Sequence, residues 1–219
     1  DLAAGMVITG SVGSGKTVFI RQLADRYRGV PTDEDEAPQS AAVAVNMSAI
    51  RDVSGFHRHV LRQLPGGGEK VGAQKDPEAA LTEALQRHGA RVLVVDEAHD
   101  MLSHSRKTRM NLLSALASVM QTQRLPVILM TVPAGLRAFQ EHADLYERMT
   151  YETLPTWRPD AYLADLLTEL ERTLPLRFAS ALAFPAVMEA LVDASEGSLE
   201  ALIDLIRRAA ATAIVSGAE

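Results

Sequence analysis

Cysteine is absent from this sequence of 219 residues. Its absence excludes disulfide bonds and zinc sites built on thiolates, and it fits a reducing compartment. Long apolar runs are also missing, since runs such as 92–95 and 127–130 are far shorter than the roughly 20 residues that a membrane-spanning helix needs. The chain opens at Asp1 without a basic segment followed by an apolar one, so we expect no secretory signal. We therefore predict a cytoplasmic protein without a membrane partner.

Basic residues are the minority among the charged ones, with 22 Lys and Arg against 28 Asp and Glu and a net charge of −6. This balance counts against a protein that coats nucleic acid with its whole surface, although a local basic patch remains compatible with it. Hydrophobic residues make up 47% and charged ones 23%, as in ordinary globular chains. A chain of this length can bury one substantial core with a small helical appendage.

Short apolar runs alternate with amphipathic stretches in the first two thirds of the chain. The predicted strands are residues 6–9, 41–45, 91–95, 127–131 and 149–153. The predicted helices are 16–28, 53–64, 106–123 and one that begins near Pro77. Residues 31–40 are interpreted as a solvated linker, and 65–76 as a mobile glycine-rich loop. Strands that alternate with helices predict a parallel sheet.

The last third of the chain has a purely helical pattern. Apolar residues recur at spacings of three and four in 159–172, 185–194 and 199–215. We therefore predict an α/β fold in which helices flank a parallel sheet, followed by a small helical lid. The predicted boundaries are 1–157 for the core and 158–219 for the lid.

A glycine-rich segment follows the first predicted strand and opens the first predicted helix. It matches the pattern G-x-x-x-x-G-K-[ST]. Its glycines allow successive N–H groups to form an anion nest, and the helix N-terminus adds partial positive charge. We expect Lys16 to reach the β- and γ-phosphates of ATP and the Thr17 hydroxyl to ligate Mg²⁺. The alternative is a glycine turn with an incidental lysine. The predicted nucleotide-binding residues are Gly10, Ser11, Val12, Gly13, Ser14, Gly15, Lys16, Thr17 and Val18.

Two carboxylates, Asp96 and Glu97, follow the apolar run 92–95. Ligands of open α/β sheets bind at the carboxyl ends of the strands. Asp96 fits the role of holding Mg²⁺ through water, and Glu97 that of the general base that polarises the attacking water. Capping of the next helix is the structural alternative. Together with Lys16, these residues predict ATP hydrolysis and a P-loop core of the AAA+ type.

Two other nucleotide-dependent classes fit less well. Asp96-Glu97-Ala98-His99 spells the signature of DEAH-box helicases, but those need a second RecA-like domain for which the sequence after Thr131 has no second sheet. A GTP-binding protein is disfavoured because no Asn-Lys-x-Asp element is present. We expect His99 to be a helix residue that faces a partner.

Thr131 is a candidate for sensing the γ-phosphate of ATP, and Arg148 is a candidate for completing an ATP site. Thr131 ends the strand expected beside that of Asp96, where its hydroxyl would contact the γ-phosphate or the attacking water. Ending a strand before Pro133 is the alternative. Arg148 precedes the last predicted strand and would complete the ATP site of a neighbouring subunit. A surface arginine paired with Glu147 or Asp144 is the alternative there.

The histidines and the remaining basic residues give weaker signals. The six histidines form no convincing metal cluster, and we expect them to be solvated helix residues. Five basic residues lie after the second predicted strand, on the helix that follows it and in the loop 65–76. They would contact a DNA backbone, or they would remain solvated. They are Arg51, Arg58, Arg62, Lys70 and Lys75.

Beyond these motifs, the chain resembles the TniB/TnsC family of AAA+ transposition ATPases, and TniB more closely than the bacteriophage Mu B protein. The run Leu154-Pro155-Thr156-Trp157 is similar to the family's Leu-Pro-x-Trp. The run Leu174-Pro175-Leu176-Arg177, followed by Ser180-Ala181-Leu182, is similar to its lid motif. Ser195-Glu196-Gly197 and the closing segment also resemble the family. The resemblance covers nearly the whole chain, although we expect the family's upstream segment to be missing.

The resemblance implies a bacterial, ATP-dependent regulator of DNA transposition. Such proteins assemble as rings or filaments on double-stranded DNA, act with a targeting protein, and recruit or activate a DDE transposase. Two departures stand out, since Met130-Thr131 replaces the usual Gly-Thr and Ser198-Leu199-Glu200 offers no lid arginine. Slow hydrolysis, which suits a disassembly switch, would follow. The alternative is an initiator-like or helicase-loader-like AAA+ ATPase that remodels a protein partner.

Overall fold

A computed structural model describes residues 4–26, 41–65 and 76–217. Its sheet has five parallel strands in the order β2-β3-β4-β1-β5. The predicted parallel sheet is therefore confirmed. The strands are β1 Gly5–Thr9, β2 Ala42–Asn46, β3 Val92–Asp96, β4 Val127–Thr131 and β5 Met149–Thr153.

Nine α-helices lie in the described ranges, six before residue 154 and three after it. Short 3₁₀ helices at Met47–Ala49, Ala98–Ser103 and Pro133–Gly135 follow β2, β3 and β4. The α-helices are α1 Lys16–Arg26, α2 Val53–Gln63, α3 Pro77–Arg87, α4 Arg106–Thr122, α5 Leu136–Gln140, α6 Ala143–Tyr146, α7 Ala161–Thr173, α8 Pro185–Ser195 and α9 Leu199–Ser216.

The described chain divides into two compact units, and each is considered by itself. The core unit combines β1 with residues 16–153. The lid unit combines Gly10–Gly15 with residues 154–217. The boundary predicted at residue 157 stays a prediction, since this division falls between Thr153 and Leu154 and assigns the glycine-rich loop to the lid unit.

The core unit is built around the central strands. Val7, Leu93 and Leu129 are fully buried, as continuous apolar runs in a parallel sheet require. Helix α4 contributes Leu113 and Leu116 to the same cluster. Burial of each such side chain stabilises the fold by about 1.5–3 kcal/mol relative to its exposure. This packing fixes the carboxyl ends of the strands, where polar residues follow.

Side-chain caps explain where several helices begin. Asp52 accepts from the N–H of Gly55 at the start of α2, and Ser105 accepts from that of Thr108 at the start of α4. Asp160 caps α7, which therefore begins at Ala161 rather than at the predicted residue 159. Such caps satisfy backbone donors that have no partner inside the helix. The other predicted element boundaries shift by similarly small amounts.

The lid unit has its own smaller apolar cluster. Leu163 and Leu167 of α7 and Leu202 of α9 are fully buried in it. The Glu171 carboxylate accepts the backbone N–H groups of Ser180, Ala181 and Leu182. This single side chain therefore fixes the loop between α7 and α8.

Several sequence expectations concern other parts of the molecule. The expectation of solvated histidines is wrong for His57 and His88, which are buried. The linker 31–40 and the loop at 66–75 lie outside the described residues. In the ranges that the structure describes, no helix is both long and apolar enough to cross a membrane.

Candidate nucleotide site

The glycine-rich loop has backbone angles that favour glycine. Gly13 has φ of +75° and Gly15 has φ of +98°, in the left-handed region where side chains cause strain. The N–H of Ser14 donates to the carbonyl of Ser11 at 3.2 Å, which closes the turn. The loop thus has the tight geometry that a phosphate-binding turn requires.

The N-terminus of α9 contacts this loop within the lid unit. The N–H of Glu200 donates to the carbonyl of Gly13 at 3.1 Å. A Cβ at Gly13 would lie 2.5 Å from Oγ of Ser198, and one at Gly15 would lie 2.9 Å from Cδ2 of Leu199. The resemblance leads one to expect an arginine within residues 198–200. In this chain the same stretch contacts the loop through the main-chain N–H of Glu200 and the aliphatic side chain of Leu199.

Lys16 and Thr17 begin α1 and belong to the core unit. Lys16 is only 6% exposed. Its burial lowers the pKa of its ammonium group, while the carboxylates of Glu97 and Asp96 act in the opposite direction. Oγ1 of Thr17 donates to Oδ2 of Asp96 at 3.0 Å. The structure therefore brings together the predicted phosphate-binding lysine, the predicted Mg²⁺ ligands and the predicted base.

Asp96 and Glu97 occupy the end of β3 in an unusual turn. Asp96 is buried, and its Oδ1 accepts the N–H of Glu97 at 2.9 Å. Glu97 has a φ of +51°, which is uncommon for a residue with a side chain. Strained backbone of this kind costs on the order of 1–3 kcal/mol and clusters at functional sites. The turn directs the chain into the 3₁₀ helix Ala98–Ser103.

His99 contacts Glu97, which sequence reasoning missed. Its Nε2 lies 3.3 Å from Oε2 of Glu97 and 3.8 Å from Oδ1 of Asp100. The ring is about three-quarters buried, and the expectation that it faces a partner stays a prediction. The sequence carried a signal in the short spacing between the two residues, but the turn that brings them together depends on the positive φ of Glu97.

Thr131 lies at the end of β4, which pairs with β3 as expected. Its side chain is fully buried, and its Oγ1 donates to the carbonyl of Val132 at 3.3 Å. A Cβ at Gly135 would lie 2.1 Å from this hydroxyl and 2.6 Å from Cβ of His99. Glycine at 135 thus allows Thr131 and His99 to border the same turn. Contact with a γ-phosphate stays a prediction.

Arg148 lies between α6 and β5. Its carbonyl accepts the N–H of Gly5 at 3.1 Å, which holds the backbone against the start of β1. Its half-buried side chain forms no hydrogen bond or ion pair with another residue of the described part. The alternative pairing with Glu147 or Asp144 is not observed there. A role in the site of a neighbouring subunit stays a prediction.

The remaining candidates that the structure describes are exposed or partly exposed. Val12 is 78% exposed at the tip of the glycine-rich loop, and Val18 is about half exposed on α1. Arg51, Arg58 and Arg62 are exposed and, within the described ranges, form no ion pair. Lys70 and Lys75 lie outside the described residues.

The residues present suit a nucleotide with its magnesium ion. A hydroxyl and a carboxylate, Thr17 and Asp96, are hard oxygen donors of the kind that Mg²⁺ prefers, and they lie within hydrogen-bonding distance of each other.

This sheet order, with a glycine-rich loop after β1 and two acids after β3, defines a P-loop protein of the AAA+ class. A family model described as "Bacterial TniB protein" matches residues 3–159. The chain therefore belongs to the TniB family. None of the curated proteins compared with it matches.

Solved structures support the AAA+ fold. The Aeropyrum pernix ORC2 protein, in ADPNP-ADP complexes, is 21% identical with a TM-score of 0.71, covering 98% of this chain and 58% of its own. Cdc6p from Pyrobaculum aerophilum is 18% identical with a TM-score of 0.65, covering 97% and 56%. The Aeropyrum pernix ORC1 protein, in complex with DNA, is 16% identical with a TM-score of 0.66, covering 97% and 55%. This chain thus spans little more than half the length of these proteins.

Proposed function

We propose that this protein is an ATP-dependent regulator of DNA transposition in the bacterial cytoplasm. It assembles on double-stranded target DNA, acts with a targeting protein, and recruits or activates a DDE transposase. ATP hydrolysis then serves as the disassembly switch. The observation that carries this proposal is the Thr17–Asp96 hydrogen bond beside buried Lys16, in a chain of the TniB family.

The roles in hydrolysis follow from the chemistry of each side chain. Lys16 holds the β- and γ-phosphates, and the glycine-rich loop offers them its N–H groups. Thr17 and Asp96 would hold the magnesium ion, Asp96 through water. Bound Mg²⁺ supplies neutralisation of the charge on the phosphates. Glu97 accepts the proton of the attacking water, and Thr131 orients that water or the γ-phosphate.

Binding to double-stranded DNA is supported by charge and by likeness. Arg51, Arg58 and Arg62 are exposed near the end of β2 and on α2, where a DNA backbone would attract them. The similar Aeropyrum pernix ORC1 protein was solved in complex with DNA. Since this chain carries a net charge of −6, the contact would be a local patch and would weaken with salt.

Assembly into a ring or filament is supported by Arg148. A half-buried guanidinium without a described ion-pair partner is available to a neighbouring subunit's γ-phosphate. Such an arginine contributes on the order of 10³–10⁵ in rate where it acts in trans. ATP would then be bound between subunits, and turnover would depend on assembly.

A second function is favoured by the solved structures. Their likeness is to ORC and Cdc6 proteins, which suits an initiator-like or helicase-loader-like ATPase that remodels a protein partner. The two functions differ in their readout. A transposition regulator stimulates strand transfer by its transposase, whereas a remodelling ATPase does not.

Electron microscopy combined with gel shift on duplex DNA tests the proposal. We expect rings or filaments with ATP or a slowly hydrolysed analogue, none with ADP, and none for Lys16→Ala. Arg148→Ala should reduce turnover in the assembled state, whereas the exposed control Arg62→Ala should reduce DNA affinity without that loss. A protein that stays monomeric and off DNA with every nucleotide would contradict the DNA and assembly parts of the proposal.

A further inference from the structure

One side chain next to the proposed base has no role in the scheme above. His99 lies on the 3₁₀ helix that follows Glu97, and its Nε2 is 3.3 Å from Oε2 of Glu97. The same nitrogen is 3.8 Å from Oδ1 of Asp100, so the carboxylate of Glu97 is the nearer acceptor. Asp100 has another donor, because Oγ of Ser48 donates to its Oδ2. The geometry therefore pairs His99 with Glu97.

The other ring nitrogen favours one tautomer of His99. Nδ1 of His99 is buried and has no hydrogen-bond partner among the described residues. A neutral imidazole carries its proton on one nitrogen only. A proton on Nδ1 would leave a buried donor unpaired, which is unfavourable, while a proton on Nε2 has the carboxylate of Glu97 at 3.3 Å. The favoured tautomer thus donates from Nε2 to the carboxylate.

The backbone leaves both residues little freedom. Glu97 has a φ of +51°, and its N–H donates to Oδ1 of Asp96. On the other side, the position of a Cβ at Gly135 lies 2.6 Å from Cβ of His99, so the turn at Gly135 packs closely against the histidine. Because the Cβ of His99 is packed in place, a ring that donates to Glu97 would restrict where the glutamate carboxylate can lie.

We propose that His99 is a positioning residue for ATP hydrolysis. Its Nε2–H holds the Glu97 carboxylate so that the free lone pairs face the attacking water. The inference rests on the proposed ATPase function and deepens it, because it names what orients the base. Loss of the hydrogen bond would leave the carboxylate with several rotamers, of which few are productive. The effect falls on turnover rather than on nucleotide binding.

Three substitutions of His99 test the proposal. His99→Gln keeps a donor near the position of Nε2, His99→Asn keeps a donor only near Nδ1, and His99→Leu removes both. We expect kcat to fall roughly tenfold or more in His99→Leu and His99→Asn, as loss of a hydrogen bond to a charged group predicts, and to recover largely in His99→Gln. The Kd for a fluorescent ATP analogue should stay unchanged in all three. His59→Gln, on partly exposed His59 of α2, is the control.

A second readout does not depend on turnover. Imidazole nitrogen shifts measured by NMR on the nucleotide-free protein should show the Nε2–H tautomer for His99, and Glu97→Gln should perturb that signal. The Nδ1–H tautomer, an unchanged or raised kcat in His99→Leu, or equal losses in the Gln and Leu variants would overturn the proposal. The ATPase function itself fails if the wild type hydrolyses no more ATP than Lys16→Ala does. In that case the tautomer of His99, measured by NMR, still tests the contact between His99 and Glu97.

Discussion

The core unit and the lid unit differ in how much apolar side chain each one buries. In the core unit, the strands and α4 contribute many fully buried residues, among them Leu93, Leu116 and Leu129. The lid unit has a small buried cluster. That cluster consists of Leu163, Leu167, Leu182, Met188, Leu202 and Ile206. Because local stability varies with the density of buried contacts, the lid unit should unfold locally more readily than the core unit.

The division of functional residues follows this difference. Lys16, Thr17, Asp96, Glu97 and Thr131 belong to the core unit, where packing holds them in place. The glycine-rich loop groups with the lid unit, through the contacts of Gly13 with Ser198 and Glu200. The residues proposed for chemistry are thus on the more densely packed unit, while the loop proposed to bind phosphates is tied to the less densely packed one.

The largest expected effect on local stability comes from two matched substitutions that each create a cavity. Leu116 in the core unit and Leu202 in the lid unit are both fully buried. Leu116→Ala and Leu202→Ala should each cost about 2–5 kcal/mol locally. Hydrogen exchange followed by mass spectrometry should show lost protection across the core unit for Leu116→Ala. For Leu202→Ala, the loss should be confined to the lid unit.

Equal loss of protection in β3 and β4 from both substitutions would contradict the comparison. The two units would then unfold as one. The exposed lid residue Ala211 provides a control, since Ala211→Ser should change protection in neither unit.

A smaller effect is expected from the Glu171 anchor. Its carboxylate accepts three backbone N–H groups at residues 180–182. Glu171→Ala leaves these donors without that acceptor and should destabilise the lid unit by about 1–3 kcal/mol, measured by hydrogen exchange. The control is Glu169→Ala, which removes only an exposed ion pair with Arg172 and should cost less than about 1 kcal/mol. If the two substitutions cost the same, the anchor has no special role.

The smallest expected effect is a pH dependence in the core unit. His57 is buried, and burial lowers its pKa below the ordinary value of 6.5, although Glu78 and Asp76 act in the opposite direction. The unfolded chain therefore binds the proton more readily, so stability falls as the pH drops through about 6.5. His57→Gln should make this fall smaller in urea unfolding between about pH 7.5 and 5.5. His59→Gln, at a partly exposed position, should change the slope less than His57→Gln does, and equal slopes for both variants would contradict the assignment.

Much of the core unit could be predicted from the sequence. The parallel sheet followed from apolar runs that alternate with amphipathic stretches, and all five strands lie within one residue of their expected bounds. The adjacency of β3 and β4 places Thr131 on the strand beside that of Asp96. The contact between Thr17 and Asp96 agrees with the sequence motifs, because a hydroxyl and a carboxylate at those positions are both predicted ligands of one Mg²⁺ ion.

The parts that escaped prediction depend on contacts between distant residues or on unusual backbone. The left-handed conformation of Glu97 brings His99 back to its carboxylate, and nothing in the residue types reveals that angle. Glu200 reaches Gly13 only once α9 has packed. His57 was expected to be solvated because the histidines form no convincing metal cluster, whereas the packing of α2 buries it.

ATP turnover, measured together with nucleotide affinity, tests the central claim most directly. For the wild type, we expect slow hydrolysis that requires Mg²⁺. Glu97→Gln should reduce turnover by roughly a hundredfold or more while ATP remains bound, since general acid–base catalysis contributes on the order of 10²–10⁴. Unchanged turnover in Glu97→Gln, or no binding of ATP by the wild type, would contradict the account.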